Sequence, residues 1–207
     1  MSKRSSEGDG FWLTTSRILT LADGVFAISM TLLILSLSLP DATQANGANL
    51  HILLFGQAHK FVNYFVSFLV LAVFWVIHHQ QFHYIKRTDS RHLWINIAIL
   101  MFVALVPFST DLVGEYSGTT IAEMFFAGNL LVLGMLFLGN WIYATRGRRL
   151  VENDMSEAVV VQGIRRNLVT PAISLVVIGL SAVIPEWSLW LYVAIPILMM
   201  LPPFRRS

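Results

Sequence analysis

Six runs of apolar residues, each broken by a short polar stretch, organise this chain. They cover about 17–39, 58–82, 92–110, 120–144, 165–184 and 187–203. Roughly 20 mostly apolar residues are needed for a helix to cross a bilayer, and all six runs reach or approach that length. The interruptions are turn-rich or charged: PDATQANGANLH at 40–51, HYIKRTDSRH at 83–92, TDLVGEYSGTT at 110–120 and TRGRRLVENDMSEAVVVQGIRR at 145–166. Only Ile184-Pro185-Glu186 separates the last two runs, which are short, so a re-entrant hairpin is an alternative to two crossings. Hydrocarbon offers no partners to backbone amides, so the runs predict helices. The expected fold is an all-α integral membrane protein in which 1–207 form a single six-helix transmembrane domain.

Charge distribution supports the count of six. Lys3, Arg4 and Arg17 precede or open the first run, and Lys86, Arg87 and Arg91 lie between the second and third. Arg146, Arg148, Arg149, Arg165 and Arg166 lie between the fourth and fifth, and Arg205 and Arg206 follow the sixth. With six crossings, all of the 14 lysines and arginines except Lys60 fall on one side. Cytoplasmic loops carry such an excess, so both termini are expected in the cytoplasm and the protein in the cell membrane. Trp12, Trp94, Trp141, Trp187 and Trp190 stand near run ends, where amphipathic rings favour the membrane interface.

Composition agrees: 56% of residues are hydrophobic and 13% charged, against roughly 25% charged in soluble domains. The polar first ten residues lack the features of a cleaved secretory signal. Without cysteine the chain has neither disulfides nor thiolate metal sites. A net charge of +2 gives no footprint for nucleic acid. No Ser-His-Asp set, phosphate-cradling loop or metal motif is legible, which argues against an enzyme and implies no cofactor.

The first run carries the most information. Asp23 lies about 9 Å beyond Arg17 at 1.5 Å rise per residue, a depth at which a carboxylate needs a partner. Trp75, His78 and His79 share one helix face near the same membrane side, and Asn96 lies equally shallow. A buried polar cluster of Arg17, Asp23, Trp75, His78, His79 and Asn96 is therefore expected. It is either a clamp between helices or a proton or ion site. Neighbouring helix positions diverge by about 100°, so His78 and His79 do not readily chelate one metal ion. Ala22, Ser29 and Ser36 form a small-residue stripe suited to close helix approach. Ile28, Leu32, Leu35 and Leu39 form an aliphatic one, flanked by Thr31. This second stripe faces lipid or core, or it lines a pore that gates by dewetting.

Taken in order, several segments resemble the bacterial branch of the transmembrane-protein-175 family of potassium channels. These are Arg17 to Leu33 with Asp23-Gly-Val-Phe-Ala-Ile28, then Phe74-Trp75, His78-His79 and Phe82, Asn96, Val106-Pro-Phe-Ser-Thr110 and Gly114-Glu-Tyr116. The family signature is Arg, three residues, Phe-Ser-Asp. This chain keeps Arg17 and Asp23 but has Leu21 and Ala22 in place of Phe and Ser, so one hydroxyl of the polar cluster is lost. The resemblance implies a homotetramer in the lipid bilayer that conducts potassium ions, modestly selective over sodium. Its central pore would be lined by the first helix, with Ile28 at the constriction and Thr31, Leu32 and Leu35 further along. A proton-coupled transporter or proton leak channel using Asp23 and the histidines is the alternative.

Overall fold

The computed structural model describes residues 14–37, 49–184 and 189–200. Seven α-helices make up most of it: α1 Thr15–Leu32, α2 Leu50–Gly56, α3 Ala58–Tyr84, α4 Ser90–Glu115, α5 Thr120–Thr145, α6 Glu157–Ser181 and α7 Ala194–Met200. Five of the helical stretches, based on α1, α3, α4, α5 and α6, are long and apolar enough to cross a membrane. The last apolar helix, Leu189–Met199, is shorter. The chain is thus an all-helical, multi-pass membrane protein.

Several elements depart from the sequence expectation. The first helix tightens into a 3₁₀ turn at Leu33–Ser36, while Leu39 and the loop that follows lie outside the described residues. The short helix α2 was not expected; none of its residues is buried. α4 runs through Glu115, beyond the expected end at 110. α6 opens at Glu157, well before 165, because Ser156 caps it through Val159 N–H and Glu157 complements the N-terminal dipole. Its first turns carry charge because they extend beyond the apolar segment. Pro185, Glu186, Trp12 and Trp187 lie outside the described residues. Trp141 is not an interfacial anchor: it is buried, and its indole N–H donates to the Val160 carbonyl at 3.0 Å.

α1 packs against α3 and α4 through Ile18, Ala22, Phe26 and Ser29, continued by Leu33 and Ser36 of the 3₁₀ turn. This is the small-residue stripe plus three large anchors, Ile18, Phe26 and Leu33. The tightest pairing is between α5 and α6. A Cβ added to Gly134 would lie 2.7 Å from Pro171 Cδ, and one added to Gly163 would overlap the Trp141 indole. These glycines are recesses for a ring on the facing helix. Such close backbone approach is how helices associate where no hydrophobic drive acts between them.

One end of the bundle is tied by loops. The Leu150 carbonyl accepts from Lys86 N at 2.9 Å, and Arg87 Nη2 donates to the Val151 carbonyl at 3.2 Å. The intervening chain reverses through Gly147 and Arg148, both at positive φ. Asp89 caps α4: its Oδ1 accepts from His92 N at 2.9 Å and its Oδ2 from the Tyr143 hydroxyl at 2.8 Å. Arg149 lies over the Tyr143 ring, 5.0 Å from its centroid, and 3.6 Å from Asp89 Oδ2. At the opposite end Lys60 of α3 pairs with Glu115 of α4.

Two outcomes follow for stability. Gly163→Ala should destabilise the protein by about 1–3 kcal/mol, the usual cost of overpacking, read as a lower midpoint of thermal unfolding in detergent. Gly139→Ala, where nothing lies within 4 Å of the new Cβ, should leave the midpoint unchanged. Burial pushes the Asp89 carboxyl up, but the His92 amide, the Tyr143 hydroxyl and Arg149 outweigh it and hold the group below its ordinary 3.8. A depressed carboxylate stabilises the fold above its unfolded pKa, and this is lost as pH falls through the folded value. Unfolding below pH 4 should therefore be less steep in Asp89→Asn than in the wild type.

Candidate functional site

The six polar residues singled out on α1, α3 and α4 do not form one buried cluster. They fall into two groups and an outlier. Asp23 sits on the exposed side of α1, and Trp75 of α3 donates its indole N–H to Asp23 Oδ1 at 2.9 Å. His79 is exposed, one turn from Trp75, with ring centroids 6.0 Å apart. His78 faces inward and is fully buried, its Nε2 3.1 Å from Asn96 Oδ1. The two adjacent histidines thus point to different environments. Arg17 is exposed and lies at the mouth of a cavity of about 300 Å³ between α1 and α4, lined also by Leu21, Asn96, Ile97 and Leu100. Six residues separate Arg17 from Asp23, about 240° of helical turn, so the two leave α1 on different faces.

The His78–Asn96 pair begins a longer line of buried amides. Asn96 Nδ2 donates to the His92 carbonyl at 2.8 Å and to Asn140 Oδ1 at 3.2 Å. Asn140 Nδ2 donates to Gln81 Oε1 at 2.7 Å. Gln81 Nε2 donates to the Phe137 carbonyl and to Asn167 Oδ1, both at 3.0 Å. Asn167 Nδ2 ends the line on the Gly163 carbonyl at 2.7 Å. The line crosses α4, α5, α3 and α6, and every member is buried. Gln81 and Asn140 escaped the sequence reading, although each is an amide near the end of an apolar run. Counting depth from the loops would have put them level with Asn96 and Asn167.

The His78 ring is also an aromatic hub. Its centroid lies 4.7 Å from Phe82, 6.0 Å from Phe137 of α5 and 6.0 Å from Phe26 of α1. α1 therefore rests on this ring two residues before Ile28. A second polar layer lies deeper: the Thr110 hydroxyl is 2.8 Å from Ser67 Oγ, and Asn129 Nδ2 donates to Ser109 Oγ at 3.2 Å.

The aliphatic stripe of the first helix points away from all of this. Ile28 is 60% exposed, Leu32 43% and Leu35 73%. Thr31 is exposed between them, its hydroxyl donating to the Ile28 carbonyl at 2.8 Å. With its proton committed to the backbone, the Thr31 oxygen presents lone pairs outward.

Five long apolar helices, a first helix with an uncovered aliphatic face, and polar side chains paired between helices define a polytopic membrane protein. Residues 17–107 match the model of the family described as the endosomal/lysosomal potassium channel TMEM175. A potassium channel of Chamaesiphon minutus is 31% identical over 184 residues, covering 87% of this chain and 89% of the relative. A potassium channel of Streptomyces collinus is 35% identical over 136 residues, covering 64% of this chain and 65% of that relative. The crystal structure of a lysosomal potassium-selective channel TMEM175 homolog from Chamaesiphon minutus superposes with a TM-score of 0.74 at 30% identity, over 89% of this chain and 93% of the other. The chain belongs to the TMEM175 family.

Removing one side of the Asp23–Trp75 hydrogen bond tests its worth. Trp75→Phe keeps the aromatic bulk and deletes the donor. It should lower stability by about 1.5–3 kcal/mol, the range for hydrogen bonds to charged groups, and Asp23→Asn combined with it should add little. A double-mutant cycle on unfolding in detergent reads both.

Proposed function

We propose that this chain is a potassium channel of the cell membrane, a homotetramer whose α1 helices surround a central pore. The observation that carries this is the division of α1 into two faces. One, from Ile18 to Ser36, is consumed in packing on α3 and α4; the other leaves Ile28, Leu32 and Leu35 uncovered. Only 28% of the most apolar part of this span is buried, against 33% to 56% in the other four. A helix held at the edge of its own protomer is placed to meet its copies. The relatives' description as potassium channels supplies the ion.

On this reading the mechanism follows from side-chain chemistry. Four Ile28 side chains close a ring too apolar to stay wet, and tilting or rotating α1 outward hydrates it. No charged residue lies on the stripe above Ile28, so an ion keeps most of its water. Selectivity then rests on the cost of partial dehydration, and the outward lone pairs of Thr31 lower that cost. Leu32 and Leu35 extend the apolar passage. The sixth crossing is made by the segment that contains the short helix Leu189–Met199, and both termini stand in the cytoplasm. That orientation matches the placement of Arg146, Arg148 and Arg149 on the loop side that Asp89 and Tyr143 organise. The polar residues brace α1 rather than carry the permeant ion: Asp23 is paired with Trp75 and His78 with Asn96. The buried amides are poor proton carriers, since a primary amide gives up its proton only far above neutral pH. These features weigh against a proton-coupled carrier, and the protein acts as a channel rather than an enzyme.

The native chain has no cysteine, which makes the pore axis directly testable. Ile28→Cys should form disulfide-linked dimers under mild oxidation in liposomes, whereas Leu175→Cys, exposed on α6, should not. Equal behaviour of the two positions would remove α1 from the axis. In planar bilayers Ile28→Asn should raise the resting potassium leak at least several-fold and lower the preference for potassium over sodium; unchanged currents would argue against the constriction.

A further inference from the structure

Three of the four amides in the buried line have their orientation imposed by a backbone carbonyl, which can only accept. Asn96 must turn its NH₂ to the His92 carbonyl, Gln81 to the Phe137 carbonyl and Asn167 to the Gly163 carbonyl. The second N–H of Asn96 then points to Asn140 Oδ1, and that of Gln81 to Asn167 Oδ1. Asn140 is left with its oxygen receiving and its nitrogen giving to Gln81. All four amides therefore run in one sense, and none can flip without setting an N–H against an N–H or an oxygen against a carbonyl. The first group in the line is His78. Because Asn96 offers it an oxygen, His78 Nε2 must carry a hydrogen.

From this we infer that Asn96, Asn140, Gln81 and Asn167 form a one-way hydrogen-bond line that locks the buried His78 in its Nε2–H form and fixes the ring on which α1 rests. A 180° turn of the imidazole, or a move of its proton to Nδ1 alone, would leave Asn96 Oδ1 without its side-chain donor. The edge presented to Phe26 is therefore constant. These four residues are positioning residues: they lie across α4, α5, α3 and α6, and Asn96 bonds the His78 ring that meets Phe26 of α1. Two things follow. Any further proton that His78 takes goes to Nδ1. And the resting position of α1 depends on amides far from the first helix in sequence. The second consequence rests on the reading of α1 as the pore helix; the first does not.

Histidine nitrogen spectra distinguish the tautomers. With ¹⁵N-labelled histidine in liposomes, and His78→Gln to assign its signal, wild-type His78 should show a protonated Nε2 and, at neutral pH, a bare Nδ1. A protonated Nδ1 with a bare Nε2 would overturn the inference with no variant needed. Asn96→Leu should release the ring and populate both tautomers, and it should change the potassium-to-sodium permeability ratio or the open probability at least twofold. Gln81→Met, which cuts the line while keeping side-chain length, should shift the same channel property in the same direction. Asn129→Leu, a buried amide outside the line, should alter neither the spectrum nor the currents. A mixed tautomer in Asn96→Leu with currents identical to wild type would separate the lock from α1 and refute that part. Absence of channel currents in the wild type would strike the functional reading alone and leave the spectroscopic result standing.

Discussion

A helix in hydrocarbon satisfies its backbone within itself, and any polar side chain it carries inward must find a partner on another helix. The rest of this structure depends on that requirement. Gln81, Asn96, Asn140 and Asn167 meet it by bonding to one another and to three carbonyls, so four helices are registered at one depth. An isolated amide at any of those positions would pay for desolvation and gain nothing. Joined in a line, each is satisfied only where the others stand. Apolar packing alone does not fix axial register this way, because leucine slides past leucine at small cost. The chain thus uses amides for alignment and small residues for proximity: Gly134 and Gly163 bring α5 and α6 together.

The division of labour within α1 follows from this scaffold. The helix contributes no member to the amide line. It is held by Phe26 on the His78 ring, by Ala22 and Ser29 against its neighbours, and by the Asp23–Trp75 hydrogen bond on its flank. Replacement of the family's serine by Ala22 fits here, since the position is buried in apolar surroundings and asks for a small side chain. Along its length the buried face of this helix runs from Ile18 to Ser36, while the opposite face stays uncovered.

How far the sequence revealed this depends on which coordinate is asked for. Depth was legible: Asp23, Trp75, His78 and Asn96 were matched by counting from the loops, but the single cluster expected of them is divided into an Asp23–Trp75 bond and a His78–Asn96 bond. Azimuth was less so. Arg17 and Asp23 share a segment and a signature, yet helical rotation sends them to different faces. His78 and His79 are neighbours in sequence and opposite in environment. Gln81 and Asn140 were overlooked because their partners come from runs far away in the chain, and their depth near the run ends was not compared with that of Asn96 and Asn167. The start of α6 was misplaced for a different reason: charge was read as a boundary, whereas a capped helix continues through Arg165 and Arg166 beyond the apolar stretch. Trp141 misled in the same way, since closeness to a run end does not reveal whether a ring turns to the interface or to a glycine on the next helix.

The Lys60–Glu115 pair has a consequence for how the chain is made. α3 and α4 are consecutive, and their distal ends meet through these two side chains. On the proposed orientation, that end is the one that traverses the bilayer during biogenesis. A lone ammonium there would resist the crossing and compete with the basic loops that set orientation. Paired with a carboxylate from the very next segment, its charge is offset within the pair, so the two helices are suited to partition into the bilayer together.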